Sequence, residues 1–172
     1  MTKKIYELST YSEIINKFEE LNFREKYQLV NFLIIVGNKE KAFDFLSSHK
    51  DVAFATVEQN KPKIRVFQIM KQEGHTLYFA TSPHKEVYRQ LQENSNIELL
   101  AMDNNISVRV TGCAVFDVPD EVAREIYENN QVLPRLYKQY NDLAYFRLPV
   151  SKLDYYDLTP TPPTFEHYEY RE

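Results

Sequence analysis

Two basic residues in apolar surroundings are the side chains best placed to do chemistry in this chain. Lys85 comes shortly after Thr81, Ser82 and Pro83, where an apolar run ends. Ser82 suits the N-cap of a helix and Pro83 its first position, so the sequence predicts a helix that begins at Pro83. Lys85 is then its third residue, where the positive end of the helix macrodipole ordinarily favours an acidic side chain. Uncapped N–H groups, two hydroxyls and an ammonium group would together suit a phosphate.

Arg65 is the second candidate phosphate ligand. It stands among Ile64, Val66 and Phe67 in a run that is typical of a strand, and a charge there costs free energy unless it is paired or meets an anion. Each basic residue also has a plainer explanation. Lys85 could be a solvated lysine on a surface helix, and Arg65 could reach water along its stem from a strand edge. The residues alone leave both interpretations open.

The first fifty residues have helical patterning. A capping box at Thr10–Glu13 opens the first predicted helix. A second is predicted from Arg24 to Val36, ended by Gly37, and a third is capped by Asn38. We therefore predict that residues 1–41 form an N-terminal helical extension packed on the remainder of the chain.

From Asp51 the pattern changes to alternation with a period of two, which is typical of strands. The predicted strands are Val52–Val57, Ile64–Met70, Thr76–Ala80, Ile97–Met102, Ile106–Val118, Leu143–Leu148 and Leu153–Leu158. Gly112 marks a bulge, and a helix is predicted over Glu121–Glu128. The expected fold is α+β and mainly β, a small antiparallel barrel of about six to seven strands with flanking helices. It occupies residues 42–172, including a short C-terminal tail.

The amino-acid composition argues against several classes of function and location. The chain has 172 residues, a net charge of −4 and no basic stripe, which argues against nucleic-acid binding. The lone cysteine, Cys113, excludes an internal disulfide and fits a reducing cytosol. The start has no apolar leader, and the longest aliphatic run, Phe32–Val36, is far too short to span a membrane, so we expect a cytoplasmic protein. Three scattered glycines make no phosphate-binding loop, and four dispersed histidines predict no metal site.

Taken in order, these motifs resemble the pyridoxamine 5′-phosphate oxidase-like superfamily of FMN-binding split β-barrels. The resemblance extends from about Ala42 to Leu158. The motifs that carry it are Val-Ala-Phe-Ala-Thr-Val from Val52, Pro62 with Arg65-Val66, Tyr-Phe-Ala-Thr-Ser from Tyr78, Lys85, Gln90-Leu91, Asn94, Asn96-Ile97 and Val-Arg-Val-Thr-Gly from Val108. No single motif is diagnostic, but their order and spacing together are.

The resemblance implies that Arg65 and Lys85 hold the phosphate of FMN, which lies between two protomers of a homodimer. It implies that the isoalloxazine lies against the backbone of Val66, Phe67 and Gln68. The resemblance further implies that the end of the third strand, at Ala80 and Thr81, contacts the cofactor, beside the Ser82 hydroxyl already proposed for the phosphate. It also implies that a strand of the partner chain contributes a polar residue at the position of Ser107, where the oxidase itself has Gln.

The true oxidase is not the expected identity, because its C-terminal Trp and basic residues have no counterpart in Leu158–Glu172. The resemblance is nearer to nitroimidazole-reductase-like and uncharacterised members. It implies a flavin-dependent oxidoreductase that acts on an unidentified small molecule, with no catalytic side chain assigned. Two alternatives stay open: a haem-binding or haem-degrading protein, and a non-catalytic flavin-binding sensor or interaction protein. A deazaflavin in place of FMN also remains open.

Overall fold

The computed structural model describes residues 18–170, except the side chains of residues 32–36 and 38. The chain divides into two compact units, residues 1–41 and 42–172. The predicted capping box at Thr10–Glu13 lies outside the described residues. Whether residues 1–41 pack on the barrel stays a prediction.

Helix α1 runs from Phe23 to Ser48 and begins with a capping box. The Asn22 side chain accepts the N–H of Glu25, and the Glu25 carboxylate accepts the N–H of Asn22, both at 3.0 Å. The predicted break at Gly37 is wrong, because the helix continues through it. A glycine inside a helix costs only about 1 kcal/mol, and no proline follows to stop the hydrogen-bond ladder.

The second unit is a split antiparallel β-barrel with flanking helices, so the fold is α+β as predicted. Its strands are β1 (Asp51–Glu58), β2 (Lys61–Gln68), β3 (Lys71–Glu73), β4 (Thr76–Thr81), β5 (Asn96–Asp103), β6 (Ile106–Cys113), β7 (Ala144–Asp157) and β8 (Thr164–Glu169). The helices are α2 (Glu86–Glu93), α3 (Asp120–Asn129), α4 (Leu133–Leu136) and a 3₁₀ turn at Tyr140–Asp142. Seven strands follow the order β2-β1-β5-β6-β7-β4-β3, and β8 pairs with β7 beside this path.

A tight turn fixes the register of the first hairpin. Gln59 and Asn60 have φ of 48° and 60°, and Glu58 pairs with Lys61. Two residues with positive φ make the type I′ turn that matches the twist of neighbouring strands. Pro62 is tolerated inside β2 because β2 is an edge strand.

Strand β7 joins the two sides of the barrel. Its first part pairs with β4, from Ala144 to Pro149, and the part from Val150 onward pairs with β6. The bulge predicted at Gly112 is present where the β6–β7 register shifts. A Cβ at Gly112 would lie 2.5 Å from the Pro149 carbonyl oxygen, so only glycine fits.

The structure corrects three strand boundaries. The two predicted last strands are one continuous strand, β7, and the C-terminal tail contributes strand β8. Strand β3 lies between two predicted strands, where the sequence predicts no strand. Long-range pairing joins two predicted strands into β7 and forms β3 and β8, which the local sequence pattern does not predict.

Four phenylalanines fill the barrel interior. The ring centroids of every pair among Phe54, Phe67, Phe79 and Phe146 lie 4.7 to 6.2 Å apart. Because each comes from a different strand, the cluster brings β1, β2, β4 and β7 together. A second cluster covers the other face of β4, where Tyr78 and Ala80 pack with Ile126 and Leu133.

Candidate functional site

The polar residues of the proposed phosphate site lie next to the phenylalanine cluster. Side chains alternate along a strand, so Arg65 shares a face with Phe67, Thr56 with Phe54, and Thr81 with Phe79. Strands β1 and β4 run the same way and β2 runs the opposite way. Arg65, Thr56 and Thr81 therefore lie beyond the rings at one end of the barrel.

Arg65 is held by two buried neutral side chains. Its Nη1 donates to Thr56 Oγ1 at 2.6 Å, and its Nη2 donates to Gln90 Oε1 at 2.8 Å. Thr56 and Gln90 are 2% and 1% exposed. Because Gln90 belongs to α2, this network connects the edge strand β2 to the helix that follows β4.

The charge of Arg65 is only partly compensated. Burial of the half-buried guanidinium lowers its pKa, against the weaker opposing attraction of the Glu86 and Glu58 carboxylates. Among residues 18–170, no carboxylate makes an ion pair with Arg65. A partly buried cation without an ion pair favours the binding of an anion.

The start of α2 differs from the prediction. Residues 82–85 form a turn in which Ser82 O accepts the N–H of Lys85 at 3.0 Å and Ser82 Oγ accepts that of His84 at 3.3 Å. The helix begins at Glu86, and Lys85 is its N-cap with extended dihedral angles. The prediction that Pro83 begins the helix is wrong, because Ser82 closes the turn instead of capping a helix.

Lys85 nevertheless stays at the positive end of α2. No side chain caps this helix, and Lys85 is exposed. Thr81, just before the turn, is 3% exposed, and its hydroxyl has no hydrogen-bond partner among the described residues. Ser82 is also buried. We call Arg65, Thr81, Ser82 and Lys85 the anion site.

The residues predicted to contact the flavin ring lie around this site, on different surfaces. Strand β2 ends the sheet, so one edge of its backbone at Val66, Phe67 and Gln68 has no strand partner within residues 18–170. Phe67 faces the interior, whereas Val66 is 74% exposed on the other face. Ala80 is buried on the face of β4 opposite Thr81.

Ser107 is not brought to the anion site within one chain. It lies on the outer face of β6, where it pairs with Met102 and Tyr156. It lines a groove of about 370 Å³, along with Ala53, Ala55, Ile64, Glu98, Leu99, Leu100, Arg109 and Tyr156. A contact from Ser107 to the cofactor would therefore have to come from a second protomer, as the resemblance implies.

Thr56 and Gln90 fall within the sequence motifs, but no role was predicted for either side chain. Gln90 had a local signal, because it lies with Val87 and Leu91 on the buried face of α2. A polar residue on the apolar side of a short helix needs a partner inside the protein. Thr56 had no such signal, since a threonine in a strand is ordinary.

No helix within residues 18–170 is long and apolar enough to cross a membrane. Within the same range, no three His, Cys, Asp or Glu side chains are grouped so as to hold a metal ion.

The family model described as "Pyridoxamine 5'-phosphate oxidase" matches residues 39–154. No curated protein sequence matches the chain. Many solved structures do, among them a NimC/NimA family protein from Clostridium acetobutylicum at 21% identity and a TM-score of 0.62. The alignment covers 79% of this chain and 94% of that one.

Two other solved structures differ in the ligand that their descriptions give. An FMN-binding, pyridoxamine 5′-phosphate oxidase-related protein from Nostoc punctiforme has 15% identity and a TM-score of 0.63, covering 79% of this chain and 91% of its own. A haem-binding protein from Mycobacterium smegmatis has 16% identity and a TM-score of 0.61, and the alignment covers 77% of this chain and 57% of that one. At these identities the likeness concerns the fold.

Proposed function

Because this chain belongs to the pyridoxamine 5′-phosphate oxidase family, we propose that it is an FMN-binding flavoprotein and a flavin-dependent oxidoreductase that acts on a small molecule. The observation that carries the proposal is the anion site. It combines a half-buried arginine that has no ion pair among the described residues, a buried hydroxyl without a partner there and an uncapped helix start. A phosphate is the kind of ligand that suits each of these three features.

The residues present fit the phosphate of FMN. Arg65 and Lys85 would supply positive charge, and Thr81 and Ser82 would supply hydroxyl groups. The unpaired backbone edge of β2, at Val66, Phe67 and Gln68, would hydrogen-bond the polar rim of the isoalloxazine, with Ala80 near the ring. Bound FMN would supply the hydride or electron transfer, while the chain supplies position and electrostatics.

We further propose a homodimer that covers the outer face of β2, β1, β5 and β6. Ile64, Val66 and Met102 are each at least 70% exposed on this face, beside the groove that Ser107 and Arg109 line. Exposed apolar side chains on a sheet ending in an open edge favour burial against a second copy. Ser107 would then reach the cofactor of the partner. Sedimentation should give the mass of two chains.

We propose that the substrate carries no phosphate of its own for the C-terminal residues to bind. Strand β8 holds His167 as its sole basic residue, and His167 bonds Asp154 on the same sheet. A cytoplasmic location is part of the proposal and is supported by the lone cysteine.

The test is the visible spectrum of the purified protein, followed by titration of the apoprotein with FMN and with riboflavin. We expect flavin absorbance and tighter binding of FMN than of riboflavin, since riboflavin lacks the phosphate. A haem spectrum with no flavin would favour the haem-binding alternative. FMN that binds but is reduced by no nicotinamide cofactor or reductase would favour the non-catalytic sensor.

A further inference from the structure

Gln90 lies beside Arg65 and near Glu58, two oppositely charged residues that make no ion pair with each other. Its Oε1 accepts hydrogen bonds from Arg65 Nη2 at 2.8 Å and from Thr56 Oγ1 at 2.7 Å. The same side chain lies near enough to the Glu58 carboxylate to help lower its pKa. A neutral carboxamide thus holds the arginine of the anion site, and Glu58, one of the two carboxylates whose charge acts on Arg65, makes no ion pair with it.

Glu58 is neutralised by other cations. Lys63 Nζ lies 3.2 Å from its carboxylate, and Arg89 Nη2 lies 2.5 Å from it. The hydrogen bonds from Lys63 and Arg89 lower the pKa of Glu58, and the neighbouring Gln90 side chain lowers it further. Glu58 is therefore ionised near neutral pH and has no need of Arg65 as a partner.

In this geometry Arg65 keeps its positive charge, and some of its N–H donors make no hydrogen bond to the described residues. A guanidinium has five N–H donors, and three bonds are made, to Thr56, Gln90 and, at 3.4 Å, the Phe54 carbonyl. Five less three leaves two donors, enough for a bidentate contact with a phosphate. A glutamate at position 90 would occupy the same space, but it would form a charged pair and cancel the attraction for an anion.

From this arrangement we propose that Gln90 is a positioning residue that sets the selectivity of the anion site for phosphate-bearing ligands. It fixes the guanidinium by a neutral hydrogen bond and keeps it apart from Glu58. The inference rests on the proposed function for the identity of the ligand, FMN, and on the Arg65 network for its mechanism.

The decisive variant is Gln90→Glu. We expect its affinity for FMN to fall by at least about tenfold, since a charged hydrogen bond is replaced by competition from a fixed carboxylate. Its affinity for riboflavin should stay within about twofold, because riboflavin makes no use of the anion site. Gln92→Glu is the matched control. It adds the same charge on the exposed side of the same helix, and it should leave FMN affinity within about twofold.

A second variant guards against misfolding. In Glu58→Gln/Gln90→Glu the carboxylate moves from one position to the other, so the net charge is unchanged and no two carboxylates meet. This double variant should melt close to the wild type and should still lose FMN affinity. The inference would be overturned if the wild type, Gln90→Glu and the double variant all bound FMN equally well, or if FMN and riboflavin affinities fell equally.

Inorganic phosphate separates this inference from the proposed function, because it needs the anion site but no flavin pocket. We expect phosphate to raise the melting temperature of the wild type above that in chloride of equal ionic strength, and not to do so for Gln90→Glu. That result without any FMN binding would overturn the proposed function and support the inference. Phosphate stabilisation equal in wild type and variant would overturn the inference even if FMN binds.

Discussion

Two arginines in neighbouring parts of the barrel are held in opposite ways. Arg109, on the outer face of β6, donates from Nε and Nη2 to one oxygen of Asp154 at 2.8 and 2.5 Å, and His167 bonds the other oxygen. Arg65, at the end of the barrel, is held by a hydroxyl and a carboxamide. The bond and the charge of Asp154 raise the pKa of Arg109, whereas burial lowers that of Arg65.

The difference separates a structural arginine from one that is available to a ligand. The charge of Arg109 is already satisfied within its own chain, so the cluster of Arg109, Asp154 and His167, which we call the outer-face cluster, contributes to folding. The charge of Arg65 is desolvated without an ion pair among the described residues, which costs stability in the absence of a ligand and favours binding an anion. Changes around Arg65 should therefore reduce ligand binding, whereas changes around Arg109 should reduce the stability of the fold.

The largest expected effect is on the ligand side. Arg65→Met should weaken FMN binding by about 3 kcal/mol, or roughly 100-fold, because a charged and partly buried hydrogen-bond donor is lost. Riboflavin binding should change much less. The fold should tolerate the change, because Thr56 still donates to Gln90 at 2.7 Å. Paired titrations with FMN and riboflavin measure it, and a variant that keeps full FMN affinity would remove Arg65 from the site.

On the structural side, Asp154→Asn should destabilise the protein while keeping the preference for FMN over riboflavin. Asp154 is 8% exposed, and its carboxylate accepts from both Arg109 and His167, so removing the charge leaves Arg109 poorly paired. We expect a loss of about 2 kcal/mol in the free energy of unfolding, measured by urea denaturation. A change in the FMN-to-riboflavin ratio, without a loss of stability, would contradict the division of roles.

A smaller effect is expected at Lys85, because its side chain is exposed. Lys85→Asp places a preferred N-cap residue at the start of α2, so the apoprotein should gain about 0.5 to 1 kcal/mol of stability. The same change puts a negative charge beside the proposed phosphate, and FMN affinity should fall about tenfold. The melting temperature of the apoprotein should therefore rise, while the FMN affinity measured by titration should fall. Lys85→Ser, which caps without a charge, is the control and should lose less affinity.

The smallest effect is a pH dependence of the outer-face cluster. The hydrogen bond to Asp154, followed by Glu169, raises the pKa of His167 above 6.5. Stability from a raised pKa is fully present below the unfolded value and is lost as pH rises through the folded value. His167→Gln should therefore lower the melting temperature more at about pH 5.5 than at about pH 8.5.

The partner groups of His167 do not interfere in that range. Burial opposes ionisation of Asp154, but the bonds from His167 and Arg109 outweigh it and lower its pKa. Its contribution is thus lost only as pH falls through a value below the ordinary 3.8. Equal losses of melting temperature at both pH values would show that His167 acts by packing alone.

The sequence predicted features that depend on local patterning. Alternation located the main strands, and Gly112 announced the bulge, since no other residue fits against Pro149. Arg65 was singled out because a charge in an apolar run needs an explanation. Among the described residues, no carboxylate forms an ion pair with it. These are properties that a few neighbouring residues determine.

What could not be predicted depends on partners distant along the chain. The helix beginning at Glu86 instead of Pro83 depends on which groups Ser82 satisfies, and both choices are locally reasonable. Strand β8 exists because β7 offers it an edge. The roles of Thr56 and Gln90 emerge only when β1, β2 and α2 meet, since Thr56 and Gln90 are 34 positions apart.

The length of β7 also matters for the order of events during synthesis. Strand β4 ends at Thr81, yet its long partner begins at Ala144, so its open edge must wait for more than sixty further residues to be made. Strand β6 waits for the same partner. A chain emerging N-terminus first would expose both edges until β7 leaves the ribosome, so the barrel can close only late in synthesis.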